Sequence, residues 1–209
     1  MIVLGLTGSL AMGKSTAARM LRRMGLPLHD ADAEVHRLLG PKGAAVAEVE
    51  AAFPGVVAGD AVDRRALGRI VFQDPDALRR LEAILHPKVR AAALAFIKRQ
   101  RRARQGIVVL DIPLLFETGA DRLCDAVIVV SAPAFLQRAR ALSRPGMTLP
   151  QVAAIRARQM PEREKRRRAD FIVQTGRAKG YTYRALRRIV RELKRRTADE
   201  QRREDLDFA

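Results

Sequence analysis

Short, continuously apolar runs alternate along the chain with segments of helical periodicity. Ile2-Val3-Leu4-Gly5-Leu6 predicts a buried strand. Residues 14–24 follow with Ala17, Met20, Leu21 and Met24 at helical core spacing, and Gly25 stands where a glycine commonly closes a helix. A second short strand is expected around Leu26-Pro27-Leu28-His29, running into a helix that Asp30 or Asp32 can cap. Residues 43–85 read as helical and interrupted, with segments at 44–53 and 63–72 and a longer one from Pro75. His86-Pro87 should bend or divide that last segment, because proline disfavours the helical conformation at the residue before it. Further strands are predicted at 106–111, 125–130 and 171–173, with two short, very basic helices at 149–159 and 161–169 before the last of them. A final helix over 183–196 places Leu186, Ile189, Val190 and Leu193 on one face, and the polar tail after Thr197 is expected to fray.

Five strands interleaved with helices imply an α/β fold: a five-stranded parallel sheet with helices on both faces. With 209 residues the chain has room for one domain with a full core and small insertions. A formal net charge of +17 favours an anionic partner such as a nucleotide, a polyphosphate, a nucleic acid or an acidic membrane, without choosing among them. Cys124 is the one cysteine, which excludes an intramolecular disulfide and a multi-cysteine metal site. No stretch approaches the roughly 20 apolar residues of a membrane span, and the first residues read as a core strand rather than a signal peptide. A cytoplasmic protein is expected.

Chemistry concentrates where the first strand meets the first helix. Gly8 to Ser15 reads GSLAMGKS, a full match to the phosphate-binding pattern GxxxxGK[ST], between an apolar strand and an amphipathic helix. Such a loop points backbone N–H groups into one concavity at a helix start, which favours a nucleotide phosphate. Lys14 adds a point charge toward the β- and γ-phosphates, and the Ser15 hydroxyl suits a magnesium shell. Asp111, at the carboxyl end of the third strand, is placed to hold the same ion through water, or else merely caps the next turn. Asp30 and Asp32 leave the second strand on the same rim; one can cap the helix while the other accepts a proton from an attacking hydroxyl. Arginines cluster at Arg138, Arg140 and Arg144 and again at Arg156, Arg158, Arg163 and 166–168, where mobile cations could close over a transferring phosphoryl group.

Taken together, these motifs resemble the dephospho-CoA kinases. The likeness spans nearly the whole chain: GLTGSLAMGKST, DAD at Asp30 to Asp32, RRALGRIVF from Arg64, LHP from Leu85, DIPLLFE from Asp111, QRARALSR from Gln137, the spaced Arg156 and Gln159, and Ala169-Asp170. It implies transfer of the ATP γ-phosphate to the ribose 3′-hydroxyl of dephospho-CoA by a single P-loop kinase domain. Its core would span about 1–40, 106–138 and 170–197, with a helical acceptor-binding insertion at about 41–105, a basic lid at about 139–169 and a tail at 198–209. Carried over by motif, Asp32 is the expected base, with Lys14 also catalytic. Gly8, Ser9, Leu10, Ala11, Met12, Gly13, Lys14, Ser15 and Thr16 form the ATP loop. Arg65, Leu114, Leu115, Phe116 and Glu117 fall on the acceptor side, and Arg138 and Arg144 at the lid's entrance. Mg2+ is the expected cofactor; ATP and dephospho-CoA are the partners, with no nucleic acid or membrane and a monomer as default. Leu114-Leu115-Phe116 can be an apolar wall for an adenine or pantetheine arm, or ordinary core.

Where the family usually has glycine, this loop has Ser9 and Ala11, with Met12 in place of a smaller residue. A positive φ at Ala11 would carry strain of about 1 kcal/mol. Gln174-Thr175-Gly176 stands where an asparagine before glycine is expected for adenine contacts. Competing readings are a nucleotide switch or nucleic-acid-associated ATPase, for which the charge argues, and a kinase with another acceptor. Scarce aromatics and the absence of an NKxD guanine motif weigh against the first of these.

Overall fold

The structure, a computed structural model, describes the backbone of residues 1–207, and side chains through 196 and at 198. Five strands form one sheet in the order β2-β5-β1-β6-β7: β1 Ile2–Thr7, β2 Leu28–Asp30, β5 Ile107–Asp111, β6 Ala126–Ser131 and β7 Phe171–Gln174. β1 pairs in parallel with β5 (Leu6 opposite Asp111) and with β6 (Thr7 opposite Val129), and β6 pairs in parallel with β7. The alternation of side chains explains why these strands are apolar throughout. Leu4, Leu6, Ile107, Val109, Ala126, Ile128 and Val130 point into one core against α1 (Lys14–Arg23) and α9 (Lys179–Asp207). Val3, Val108, Leu110, Val127 and Val129 are equally buried on the opposite face. β1 is central; from it the chain passes to β2 on one side and later, by way of β5, to β6 on the other, so the loop after β1 opens at a topological switch point.

The chain divides into two compact units, residues 1–29 together with the chain from Arg99 onward, and Asp30–Lys98. The second unit holds α2 (Ala31–Leu39), α3 (Val46–Ala52), a hairpin of β3 (Val57–Ala58) and β4 (Ala61–Val62), α4 (Arg64–Val71) and most of α5 (Pro75–Arg102). Leu38, Val49, Phe53, Val56, Leu67, Val71, Leu81 and Leu85 make its core. Asp63 caps α4 by accepting from the Arg65 and Ala66 N–H groups, which holds its carboxyl below the usual range.

One gap is filled and two expectations change. The interruption between the helices expected at 44–53 and 63–72 is a hairpin: Gly59, at φ 64°, turns β3 into β4, and Gly59-Asp60 between two short strands is hairpin chemistry. Pro87 does not divide α5. The carbonyl it leaves without a partner, that of Ala83, belongs to an exposed residue, so water can satisfy it. Finally, α9 starts four residues earlier than the expected 183 and continues past the expected end at 196, to Asp207. No described helix is long and apolar enough to cross a membrane.

Candidate functional site

The loop between β1 and α1 owes its shape to two glycines. A Cβ on Gly8 would lie 2.4 Å from Val130 Cγ2 and 2.9 Å from the Val130 carbonyl oxygen, so only glycine lets the chain leave β1 against β6. Gly13 caps α1 at φ 89°, a left-handed conformation that glycine takes without penalty, with Thr175 against its Cα. Ala11 sits at φ 60°, so the strain anticipated for a non-glycine residue there is present.

Lys14 and Ser15 open α1, and Ser15 is exposed. Register places Asp111 beside Leu6, two residues before the loop begins. Lys14 Nζ stands 2.7 Å from Asp111 Oδ1, with 15% and 4% of the two side chains exposed. The buried carboxylate is thus compensated by the loop lysine. Asp30 caps α2 by accepting from the Ala33 N–H at 3.1 Å, leaving Asp32 exposed in the first turn. Arg65, in α4, donates its backbone N–H to the Asp63 cap and exposes its side chain.

Each of the three loop departures has a definite partner. Ser9 Oγ donates to Glu162 Oε2 at 3.0 Å. Ala11 packs its methyl against Ala141 of α6 (Ala134–Leu142) and Val152 of α7 (Leu149–Ala157). Met12 is buried: its Sδ accepts from the Ala132 N–H, and its carbonyl accepts from Thr175 Oγ1 at 2.6 Å. Thr175 in turn accepts from Arg140, whose guanidinium also donates to the Thr175 carbonyl at 2.9 Å. Gly176 lies so close to Pro133 that a Cβ would approach its Cδ to 2.5 Å. The turn after β7 is therefore built around the loop and α6 despite lacking the asparagine.

The DIPLLFE segment divides. Leu115 is fully enclosed and Phe116 is 6% exposed, with the Arg168 guanidinium 6.0 Å from the Phe116 ring centroid; Leu114 is half-buried. Leu115 and Phe116 are thus as buried as core residues, and Leu114 is not. Glu117 Oε1 accepts from the Met160 N–H at 2.8 Å and lies 2.9 Å from Lys165 Nζ, which belongs to α8 (Glu162–Arg168) and is entirely buried. That last contact is too poorly aligned for a hydrogen bond and is an ion pair. Arg138 and Arg144, on α6 and just after it, are exposed. Arg138 borders a cavity of about 280 Å³ with Leu10, Gln137 and Arg156, and a second of about 480 Å³ is lined by Ser9, Gln137, Arg156, Gln159 and Glu162.

The sequence motifs include Gln137 and Gln159 but give them no role, and sequence reasoning missed the buried lysine. Gln137, 4% exposed, donates from Nε2 to the Leu10 carbonyl at 2.9 Å, and Gln159 Oε1 accepts from the Leu10 N–H at 3.0 Å. A polar residue on the inward face of α6 is a faint signal for the first. Nothing in EREKRRR marks Lys165 among its charged neighbours.

The family model described as dephospho-CoA kinase matches residues 2–179. A relative from Paramagnetospirillum magneticum, named dephospho-CoA kinase, is 64% identical over 79% of this chain and 78% of its own. A solved structure from Thermus thermophilus superposes with a TM-score of 0.78 at 38% identity, over 92% of this chain and 97% of that one. The dephospho-CoA kinase from Campylobacter jejuni gives 0.70 at 26% identity, again over 92% and 97%.

Proposed function

The chain belongs to the dephospho-CoA kinase family, and from that premise we propose how its residues divide the work. The enzyme transfers the γ-phosphate of ATP to the ribose 3′-hydroxyl of dephospho-CoA, giving ADP and coenzyme A, the last step of coenzyme A biosynthesis. The observation that carries the residue assignment is the Lys14–Asp111 contact at the mouth of the loop. A cation and a buried carboxylate at a helix start are what a nucleotide's phosphates and their counter-ion would need, which supports this reading.

ATP lies in the loop from Gly8 to Thr16, its phosphates facing the loop's N–H groups, and Lys14 turns from Asp111 to the β- and γ-phosphates. Mg2+ fits the pair Ser15 and Asp111. One hydroxyl and one carboxylate suit a cation that brings phosphate oxygens and water as its other ligands, and there it would neutralise charge on the phosphates. Asp32, freed from capping by Asp30, takes the proton of the attacking 3′-hydroxyl. The insertion at 41–105, with Arg65, and the half-buried Leu114 receive the acceptor. Residues 139–169 form the lid, and Arg138 and Arg144 contact phosphate as it closes. Glu117 serves this lid rather than the acceptor. The protein works in the cytoplasm as a monomer, without a nucleic-acid partner.

Purified protein with Mg-ATP should release ADP on addition of dephospho-CoA and not of CMP, AMP, uridine or shikimate. Asp32→Asn should lower kcat by about 100-fold or more while leaving the ATP Kd within about threefold. Loss confined to Asp30→Asn would move the base to the other carboxylate, and preference for another acceptor would overturn the substrate.

A further inference from the structure

The side chains around the root of α8 make a set of contacts that phosphoryl transfer does not require. Leu10 has both backbone groups taken, its N–H by Gln159 of the lid and its carbonyl by Gln137 of α6. One residue earlier, the hydroxyl of Ser9, itself 8% exposed, donates to Glu162. Glu162 and Lys165 stand three apart on α8 and so share a face, and Lys165 pairs with Glu117 from the segment after β5. Glu162 Oε1 and Glu117 Oε2 are buried with no hydrogen-bond partner among the described residues.

On electrostatic grounds alone this arrangement is unfavourable. Two half-buried carboxylates, each with one oxygen out of water, stand beside a loop whose ligand is a triphosphate, and the ammonium of Lys165 pairs with Glu117. An apolar contact at the same point would hold α8 more cheaply. What the polar contact adds is direction: a hydroxyl-to-carboxylate bond fixes the Ser9 side chain, while the two glutamines fix the peptides on either side of Leu10. Donors that are already aimed need no reorganisation when phosphate arrives.

We propose that Ser9 and Glu162 are a positioning pair that couples the phosphate loop to the root of the lid, holding the loop in its phosphate-binding form before ATP enters. Neither residue touches the reacting atoms. The inference rests on the loop's being the ATP site. The serine in place of the family's usual glycine then has a function: it supplies a side-chain hydroxyl that reaches α8.

The test is a double-mutant cycle on the full-length enzyme with Ser9→Ala, Glu162→Ala and the double variant, plus Glu162→Gln, which keeps an acceptor oxygen. ATP Kd without acceptor, KM for each substrate, kcat and Tm are measured for all of them. Each alanine variant should weaken ATP binding about tenfold and raise the ATP KM in step, with kcat and the dephospho-CoA KM within about twofold of the parent. The double variant should be no worse than the poorer single one, and Glu162→Gln should restore most of the affinity. An unchanged ATP Kd in Ser9→Ala, a double variant whose loss is the product of the singles, or Glu162→Gln as poor as Glu162→Ala would each overturn the coupling. Should Glu162→Ala not fold, Ser9→Ala and Glu162→Gln carry the same decision. If the parent itself bound no ATP, the assignment of the loop would fall instead, which is a separate result.

Discussion

Replacing Glu117 by Gln removes one charge and keeps the side chain's shape. The glutamine oxygen can still accept from the Met160 N–H, 2.8 Å away, so that bond survives. Lys165 fares differently: none of its side chain is exposed, and it loses a counter-ion at 2.9 Å. Removing one partner of a buried ion pair costs roughly 3–5 kcal/mol. Because 17% of the Glu117 side chain is exposed, water screens part of the change, and the low end, about 3 kcal/mol, is expected. In a chain of this length each kcal/mol moves Tm by roughly 2–4 °C, so a fall of about 6–12 °C follows. Adding Lys165→Met removes the orphaned charge and fills the same enclosed channel with an unbranched apolar chain. The double variant should therefore return to within about 1 kcal/mol of the parent. Urea and thermal unfolding at pH 7 measure both, and a repeat in 1 M NaCl should leave the deficit largely intact, since buried pairs are weakly screened. A single-variant cost below about 1 kcal/mol, or a double variant no better than the single, would refute the reasoning.

Three further outcomes are expected. Ala11→Gly should change stability by less than about 0.5 kcal/mol in urea unfolding. Relief of about 1–2 kcal/mol of left-handed strain is offset by about 0.8 for the methyl buried against Ala141 and Val152 and by about 0.4–1 for glycine's freedom in the unfolded chain. Burial, then the nearby Asp121, Asp125 and Asp170, push the Cys124 thiol up to about 12 from an ordinary 9, so at pH 8 it should react with a disulfide reagent about a thousandfold more slowly than in the unfolded chain. A folded pKa above the unfolded one means that stability is lost as pH rises from about 9 toward 12, and a rapidly labelled native thiol would contradict this environment. Asp111→Asn should cut kcat by about 100-fold and raise the Mg2+ needed for half-activity. An unaltered Mg2+ titration would remove Asp111 from the metal's shell.

How far the sequence reaches is visible in the loop itself. GSLAMGKS marked the turn from an apolar strand into an amphipathic helix, which the structure forms between β1 and α1, because both the pattern and its context are local, and local chemistry is what a sequence displays. The same holds for the five strands, for Gly25 closing α1 and for one of the two aspartates capping α2. Their causes lie within a few residues: apolar continuity, a left-handed turn, an N–H three positions on. The hairpin at Gly59-Asp60 was equally local in origin but too short to stand out against the helical periods around it.

What tertiary structure decided is everything that depends on a partner distant in the chain. Ser9, Ala11 and Met12 read as irregularities in sequence; their meaning comes from Glu162, from Ala141 and Val152, and from Ala132 and Thr175, all more than 100 positions away. Pro87 stays inside a helix where the residue one turn before it, Ala83, is exposed and water can reach the carbonyl that proline cannot pair, a matter of which side of α5 is exposed. Lys165 is the sharpest case. In EREKRRR it is one cation among several, and only the fold's placement of Glu117 beside it allows an ammonium to be buried there at all, since the energy of a buried charge is set by its neighbours in space and not by those along the chain.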